Sequence, residues 1–190
     1  MTLQRILPFT RTLLDNVLTK GSVAIDGTCG NGHDTLYLAE SVGPSGKVYG
    51  FDIQQEAIEA TQQRLTEAEQ TSHVQLIQAS HETILNVIDP SDKGNISAAI
   101  FNLGYLPGGD KSIVTEPGTT VQAVTDVLNL LRSGGMLVLV VYPGHEEGKI
   151  ESEIVTDYAS SLNQSHYQVL KYQFINQINE PPYILAFSKK

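Results

Sequence analysis

The chain has a single cysteine, Cys29, and no tryptophan. A lone thiol excludes an internal disulfide framework and a cysteine-rich zinc site, and it fits a reducing cytoplasm. Cations are scarce: 12 Lys and Arg stand against 21 Asp and Glu, for a formal net charge of -9. Indiscriminate capture of nucleic acid needs several cations on phosphate, so this balance argues against it while leaving room for a local basic patch. No apolar run approaches the roughly 18 to 20 residues that cross a bilayer. The amphipathic start MTLQRILPFTRTLLDNVL carries no signal-type apolar block. A cytoplasmic protein, free of the membrane, is the expectation. The five histidines, His33, His73, His81, His145 and His166, show no short ligand spacing, so no metal site is predicted.

What is present is a core. With 190 residues, 41% of them hydrophobic, the chain can bury one substantial interior, and residues 1–190 are predicted to form one domain. Nearly apolar segments alternate with amphipathic ones, the pattern of an α/β sheet covered by helices on both faces. We read an N-terminal helix near Arg11 to Thr19, then the strand SVAIDG and a helix from His33 to Ser41. Strand KVYGFDI follows, then the helix QEAIEATQQRLTEAE, strand HVQLIQA, the short helix ETILNVI and a strand from Ile96 to Asn102. Next come the helix TVQAVTDVLNLL, with Val121, Val124, Val127, Leu128 and Leu131 on one stripe, the strand GGMLVLVVY and the helix IESEIVTDYASSL. The last two strand-like runs, YQVLKYQFIN and YILAFSK, are joined by QINEPP and are predicted to form an antiparallel hairpin. The whole is a seven-stranded, mostly parallel sheet ending in that hairpin.

The strand ends carry the chemistry. After the first strand, AIDGTCGNGHDT places Asp26 at the tip and Gly27, Gly30 and Gly32 in a turn that opens a helix. Glycines let backbone approach a ligand, and free amides at a helix start hold polar groups. YGFDI places Asp52 at the next tip, where a carboxylate can accept both hydroxyls of a ribose. Dinucleotide enzymes share these features. Asp26, which could face an ammonium group or cap the turn, and the terminal hairpin favour S-adenosylmethionine instead. Asn31 and Asp34 either cap the following helix or touch the cofactor. Cys29 is read as a small packed residue of the turn.

VAIDGTCGNG and YGFDI resemble the first two motifs of class I S-adenosylmethionine-dependent methyltransferases, and QASHE lies where that family contacts adenine. The resemblance implies the Rossmann-like methyltransferase fold and cofactor contacts from Asp26, Thr28, Gly30, Asn31, Gly32, Asp34, Thr35, Asp52, Ile53, Ser80, His81 and Asn102. Two positions depart from it: Thr28 stands where many members have glycine, and Ser80 or His81 where an acidic residue is common.

The fourth strand ends in FNLGYLPGGDKSIVTEPGTT, Phe101 to Thr120. Its opening looks like a stretched form of the Asn/Asp-Pro-Pro-aromatic motif of enzymes that methylate planar or exocyclic nitrogens. Asn102, or a backbone carbonyl of the turn at Leu103, could accept a hydrogen bond from the amine, and Tyr105 could stack on a base. With RILPFT and YPGHEEGKIE, Tyr142 to Glu151, the pattern is similar across essentially the whole chain to a small bacterial rRNA-methylase family. Its members methylate the aminomethyl group of 5-aminomethyl-2-thiouridine at the tRNA wobble position, giving the methylaminomethyl base. The resemblance implies the same acceptor here, a primary amine in the anticodon region of tRNA. His145 could bind RNA, act on the amine proton or cap the next helix. Arg5 and Arg11 in the N-terminal segment 1–20, with Lys111 and Lys149, are the candidate tRNA contacts. With so few cations, dimerisation would enlarge an RNA-binding surface.

Rival readings make different demands. A methyltransferase for rRNA, for a small molecule or for a protein keeps the cofactor site and changes the acceptor. A cofactor-binding module without chemistry leaves the long loop after Asn102 unexplained. A nicotinamide oxidoreductase needs a hydride acceptor site that the sequence does not offer.

Overall fold

The computed structural model describes residues 2–104, 117–144 and 146–190. Alternation along the central strands divides their side chains between two faces. β1 (Val23–Asp26), β2 (Lys47–Asp52), β4 (Ile96–Leu103) and β5 (Leu131–Val141) send Ile25, Tyr49, Phe51, Ala99, Phe101, Leu137 and Leu139 to one face. There they meet Ile84 of α4 (Ile84–Val87), Val124, Val127 and Leu128 of α5 (Pro117–Leu130), and Val155 and Ala159 of α6 (Glu146–Ser161). Ala24, Val48, Ala98, Ile100, Val138 and Val140 point the other way. They pack on Ile6 and Leu14 of α1 (Ile6–Asp15), Leu38, Ala39 and Val42 of α2 (His33–Val42), and Leu65 of α3 (Gln55–Glu67). Strands buried on both sides therefore read as unbroken apolar runs, as expected of a parallel sheet.

With β3 (Val74–Gln78), β6 (Tyr167–Tyr172) and β7 (Tyr183–Lys189) the order is β3-β2-β1-β4-β5-β7-β6. The first five strands are parallel, and β7 inserts antiparallel between β5 and β6. This is the Rossmann-like methyltransferase architecture. Strand order reverses at β1, so the carboxyl ends of β1, β2 and β4 flank the switch point where such sheets take ligands.

Three expectations need correction. The first helix begins at Ile6, not near Arg11, and ends at Asp15. Pro8 falls in its first turn, where a missing N–H costs no helical hydrogen bond, so it does not break the helix. The fifth strand starts at Leu131 directly after α5, which removes Leu131 from the helical stripe. Pairing Ile96↔Leu131 is followed by Ala98↔Met136, so the RSGG segment bulges out of the ladder. Arg132 clamps that bulge, donating to Ser97 Oγ at 3.1 Å and to the Val17 carbonyl at 3.1 Å. The hairpin forms, but β6 stops at Tyr172, and Ile175 and Ile178 are exposed in a longer connection.

At the opposite end of the sheet from the ligand edge, Lys47 pairs with Asp89 and Asp92, and the Tyr49 hydroxyl bonds both carboxylates, at 3.0 and 2.6 Å. These contacts fasten the start of β2 to the segment leading into β4.

Candidate active site

The turn after β1 is built around Asp26, which is fully buried. Its carboxylate accepts the Thr28 N–H at 3.1 Å and the Thr35 hydroxyl at 2.6 Å. Burial, reinforced by the nearby charge of Asp34, raises its pKa to about 7. Both oxygens are thus engaged inside the turn, the geometry of a turn cap. Thr35 is equally buried, on the inner side of α2.

Gly27 is required by space. A Cβ there would lie 2.0 Å from the ring of Phe101, while the Gly27 N–H donates to the Ile100 carbonyl at 2.9 Å. Cys29 is buried and its N–H donates to the Phe51 carbonyl. Burial pushes its thiol well up, which suits packing and not nucleophilic attack. Gly30 and Gly32 adopt left-handed φ values of 53° and 77°. At Gly32, the residue preceding α2, a Cβ would approach Thr61 Cα to 2.8 Å. Helix α3 is therefore pressed against the glycine turn, and Thr61 donates to the Gly30 carbonyl at 3.2 Å. Asn31 is exposed, with its carbonyl held by Arg64 Nε at 2.7 Å. No side chain of the preceding residue caps α2, and Asp34 lies in its first turn.

Asp52, half-buried at the tip of β2, accepts the Gly30 N–H at 2.9 Å on one oxygen and the Gln54 N–H at 3.0 Å on the other. Two backbone donors fix the plane of the carboxylate, and each oxygen keeps a further lone pair for a hydroxyl. Ile53 beside it is 50% exposed and offers an apolar surface. At the next tip, Ser80 accepts the Glu82 N–H and so caps a short 3₁₀ turn. His81 is buried and stacks on Phe101 with ring centroids 5.5 Å apart. Burial lowers its pKa to about 4, so the ring is neutral near pH 7, and its Nε2 has no hydrogen-bond partner among the described residues.

On β4, Asn102 is half-buried and doubly held. Its N–H donates to Thr28 Oγ1 at 2.7 Å, and its side-chain Nδ2 donates to Asp34 Oδ2 at 2.9 Å. The first bond gives Thr28 a task that a glycine could not perform. Leu103 points its side chain into the core, and its carbonyl accepts the Tyr142 N–H at 3.3 Å. Tyr105, Lys111 and His145 lie outside the described residues.

Sequence reasoning missed Tyr142 as an individual site residue. It follows β5 directly, half-buried, and a Cβ on Gly104 would lie 3.6 Å from its own Cβ. Burial and the charge of Asp34 raise its phenol pKa, so the hydroxyl keeps its proton at neutral pH. The signal available was an aromatic residue at the carboxyl end of a central strand.

Three of the four candidate RNA contacts lie among the described residues. Arg5 precedes α1 and is exposed, Arg11 lies over the Tyr37 ring at 4.9 Å, and Lys149 pairs with Glu180 at 3.1 Å. Among the described residues no group of three potential ligands could hold a metal ion, and no helix is long and apolar enough to cross a membrane.

Residues 48–188 match the family described as "Putative rRNA methylase". A "tRNA (mnm(5)s(2)U34)-methyltransferase, chloroplastic" from Arabidopsis thaliana is 37% identical over 184 residues, 93% of this chain; the chain spans 66% of that protein's length. The crystal structure of a "putative rRNA-methylase" from Clostridium thermocellum superposes with a TM-score of 0.96 at 38% identity, covering 100% of both chains. A "putative methyltransferase" from Streptococcus mutans in complex with SAH gives 0.90, again at 38% identity over 100% of both chains. With a match through most of its sheet and end-to-end likeness to such structures, the chain belongs to the "Putative rRNA methylase" family.

Proposed function

We propose that this protein, an S-adenosylmethionine-dependent methyltransferase, methylates the aminomethyl nitrogen of 5-aminomethyl-2-thiouridine at the tRNA wobble position, giving 5-methylaminomethyl-2-thiouridine. The acceptor is supported by the similarity to the Arabidopsis tRNA methyltransferase. The observation that carries the reading within this chain is Asn102, whose amide nitrogen is committed to Asp34 and whose amide oxygen can accept an N–H.

The chain's own residues fit the cofactor. A glycine turn closed against Thr61 brings backbone close to a ligand, Asp52 presents a fixed acceptor pair for ribose hydroxyls, and Ile53 supplies an apolar surface for a base. S-adenosylmethionine would supply an electrophilic methyl group on a sulfonium. The protein's share is positioning: Asn102 Oδ1 accepts an N–H of the neutral amine, which leaves the nitrogen lone pair free to be aimed. A neutral amine carries its own lone pair, so no strong base is needed. Buried His81 remains a packing residue, and Tyr142 contributes a protonated phenol at the rim. We read residues 1–190 as one catalytic domain working in the cytoplasm, with the N-terminal segment and Arg5, Arg11, Lys111 and Lys149 as contacts for the anticodon arm.

Nucleoside mass spectrometry tests the reading. Undermodified tRNA carrying 5-aminomethyl-2-thiouridine, incubated with the protein and S-adenosylmethionine, should gain one methyl on that base. An unchanged base, with methyl appearing instead in rRNA or in a small molecule, would replace the tRNA assignment by that acceptor.

A further inference from the structure

We propose that Asp34 is a positioning residue that fixes the polarity of the acceptor site, by holding the Asn102 amide so that its oxygen, never its NH2, faces the substrate. The proposal rests on the methyl-transfer reading for its consequence and on the geometry alone for its mechanism.

An asparagine amide is ambiguous by itself. A half-turn about its last torsion exchanges a two-proton donor for an acceptor with little change of shape. Asp34 removes the ambiguity, because an ionised carboxylate can only accept. With Asp34 Oδ2 2.9 Å from the side chain of Asn102, the facing atom has to be Nδ2. The reversed amide would set oxygen against oxygen and lose a charge-assisted hydrogen bond.

The rest of the turn makes this pairing rigid. Thr28 Oγ1 accepts the Asn102 N–H at 2.7 Å, which pins the backbone of the asparagine. Asp26 holds Thr28 through its N–H, and it also holds the hydroxyl of Thr35, the residue next to Asp34. One buried carboxylate thus tethers the neighbours of both partners in the Asp34–Asn102 bond. The five residues come from the end of β1 and its turn, the first turn of α2 and the tip of β4, so the amide orientation is fixed by tertiary contacts before any ligand arrives.

The consequence is a chemical selection. The site suits an acceptor that brings an N–H of its own, such as a primary amine. It disfavours a ring nitrogen that has only a lone pair, since that nitrogen would face the amide oxygen.

A charge swap tests this. Asn102→Asp opposes two carboxylates and should lower the single-turnover rate about 100-fold, the scale of a small misplacement of reacting groups. The double variant Asp34→Asn with Asn102→Asp restores an amide–carboxylate pair in the reverse sense and still presents an oxygen. It should recover at least about tenfold of that loss, as expected for two groups acting as one unit. SAH affinity, measured by calorimetry, should stay within about threefold of wild type in every variant if Asp34 acts through Asn102. A double variant no faster than Asn102→Asp, with SAH binding intact, would overturn the positioning role and leave the methyltransferase reading standing.

A second readout needs no acceptor. The side-chain NH2 resonances of Asn102 in the SAH-bound protein should shift in Asp34→Ala, and unmoved resonances would overturn the pairing. Failure of wild type to methylate the aminomethyl base would count against the tRNA assignment alone.

Discussion

The two halves of the ligand edge use the same polar residue types in opposite ways. At the tips of β1 and β2, Asp26 and Asp52 each have both oxygens taken by donors, three of them backbone amides, and two of the four bonds span only two residues. At the tip of β4, Asn102 is held by residues 74 and 68 positions away, and those bonds engage its two nitrogens. The first half is a template made largely by its own turns; the second is assembled by the fold and leaves an acceptor atom uncommitted. Under the proposed assignment, rigid local turns serve the ligand common to many enzymes, whereas the half set by long-range contacts meets the particular acceptor.

That contrast can be broken from either side. The largest effect should come from Asp26. Its pKa is raised above the unfolded value of 3.8 to about 7, so the folded state holds the extra proton between those values. Stability attributable to Asp26 is then fully present below about pH 4, falls as pH rises, and is lost above about pH 7, a change of a few kcal/mol. His81 acts in the opposite sense, weakening the fold as pH drops from 6.5 towards about 4. Denaturant unfolding across pH 4 to 8 should therefore show a falling component in wild type that is missing from Asp26→Asn. Identical pH profiles would mean that Asp26 is ionised throughout.

Asn102→Ala comes next. If Asn102 meets the acceptor as proposed, turnover should fall about 100-fold while SAH affinity changes little. Equal losses in both would merge the two halves of the edge into one. Asp52→Ala should do the reverse, weakening SAH binding about tenfold through lost hydrogen bonds to a charged group. Calorimetry decides it, and unchanged affinity would remove Asp52 from the cofactor half. The smallest effect is expected at Lys149→Ala. Its ion pair with Glu180 is half exposed on both sides, and such pairs contribute about 0 to 1 kcal/mol. A thermal melt should barely move, so any large loss in tRNA affinity would mark Lys149 as an RNA contact.

Much of the fold was readable because burial on both faces writes strands as continuous apolar runs, and Gly and Pro clusters separate them. The first helix was misplaced because a proline in a first turn looks like a break. The bulge at Arg132 to Gly135 was invisible, since nothing local distinguishes it from a loop before the strand. At the site, short-range motifs mark the glycine turn and the terminal carboxylates that are proposed to hold the cofactor. The task of Thr28, accepting the Asn102 N–H, and the Asp34–Asn102 bond were not legible, because each depends on which residue of a distant strand lies opposite. Tyr142 was hidden for a similar reason: its place beside Gly104 follows from the pairing of β4 with β5.

Phe101 lies so close beneath Gly27 that a single added carbon would collide with its ring, and His81 stacks on that same ring. These three positions form one steric unit across three strand ends, so they are bound to drift together through descent. Relatives with alanine or serine at position 27 should carry a smaller side chain at 101 and a different partner at 81. Such correlated substitution is the trace that contact leaves in sequences.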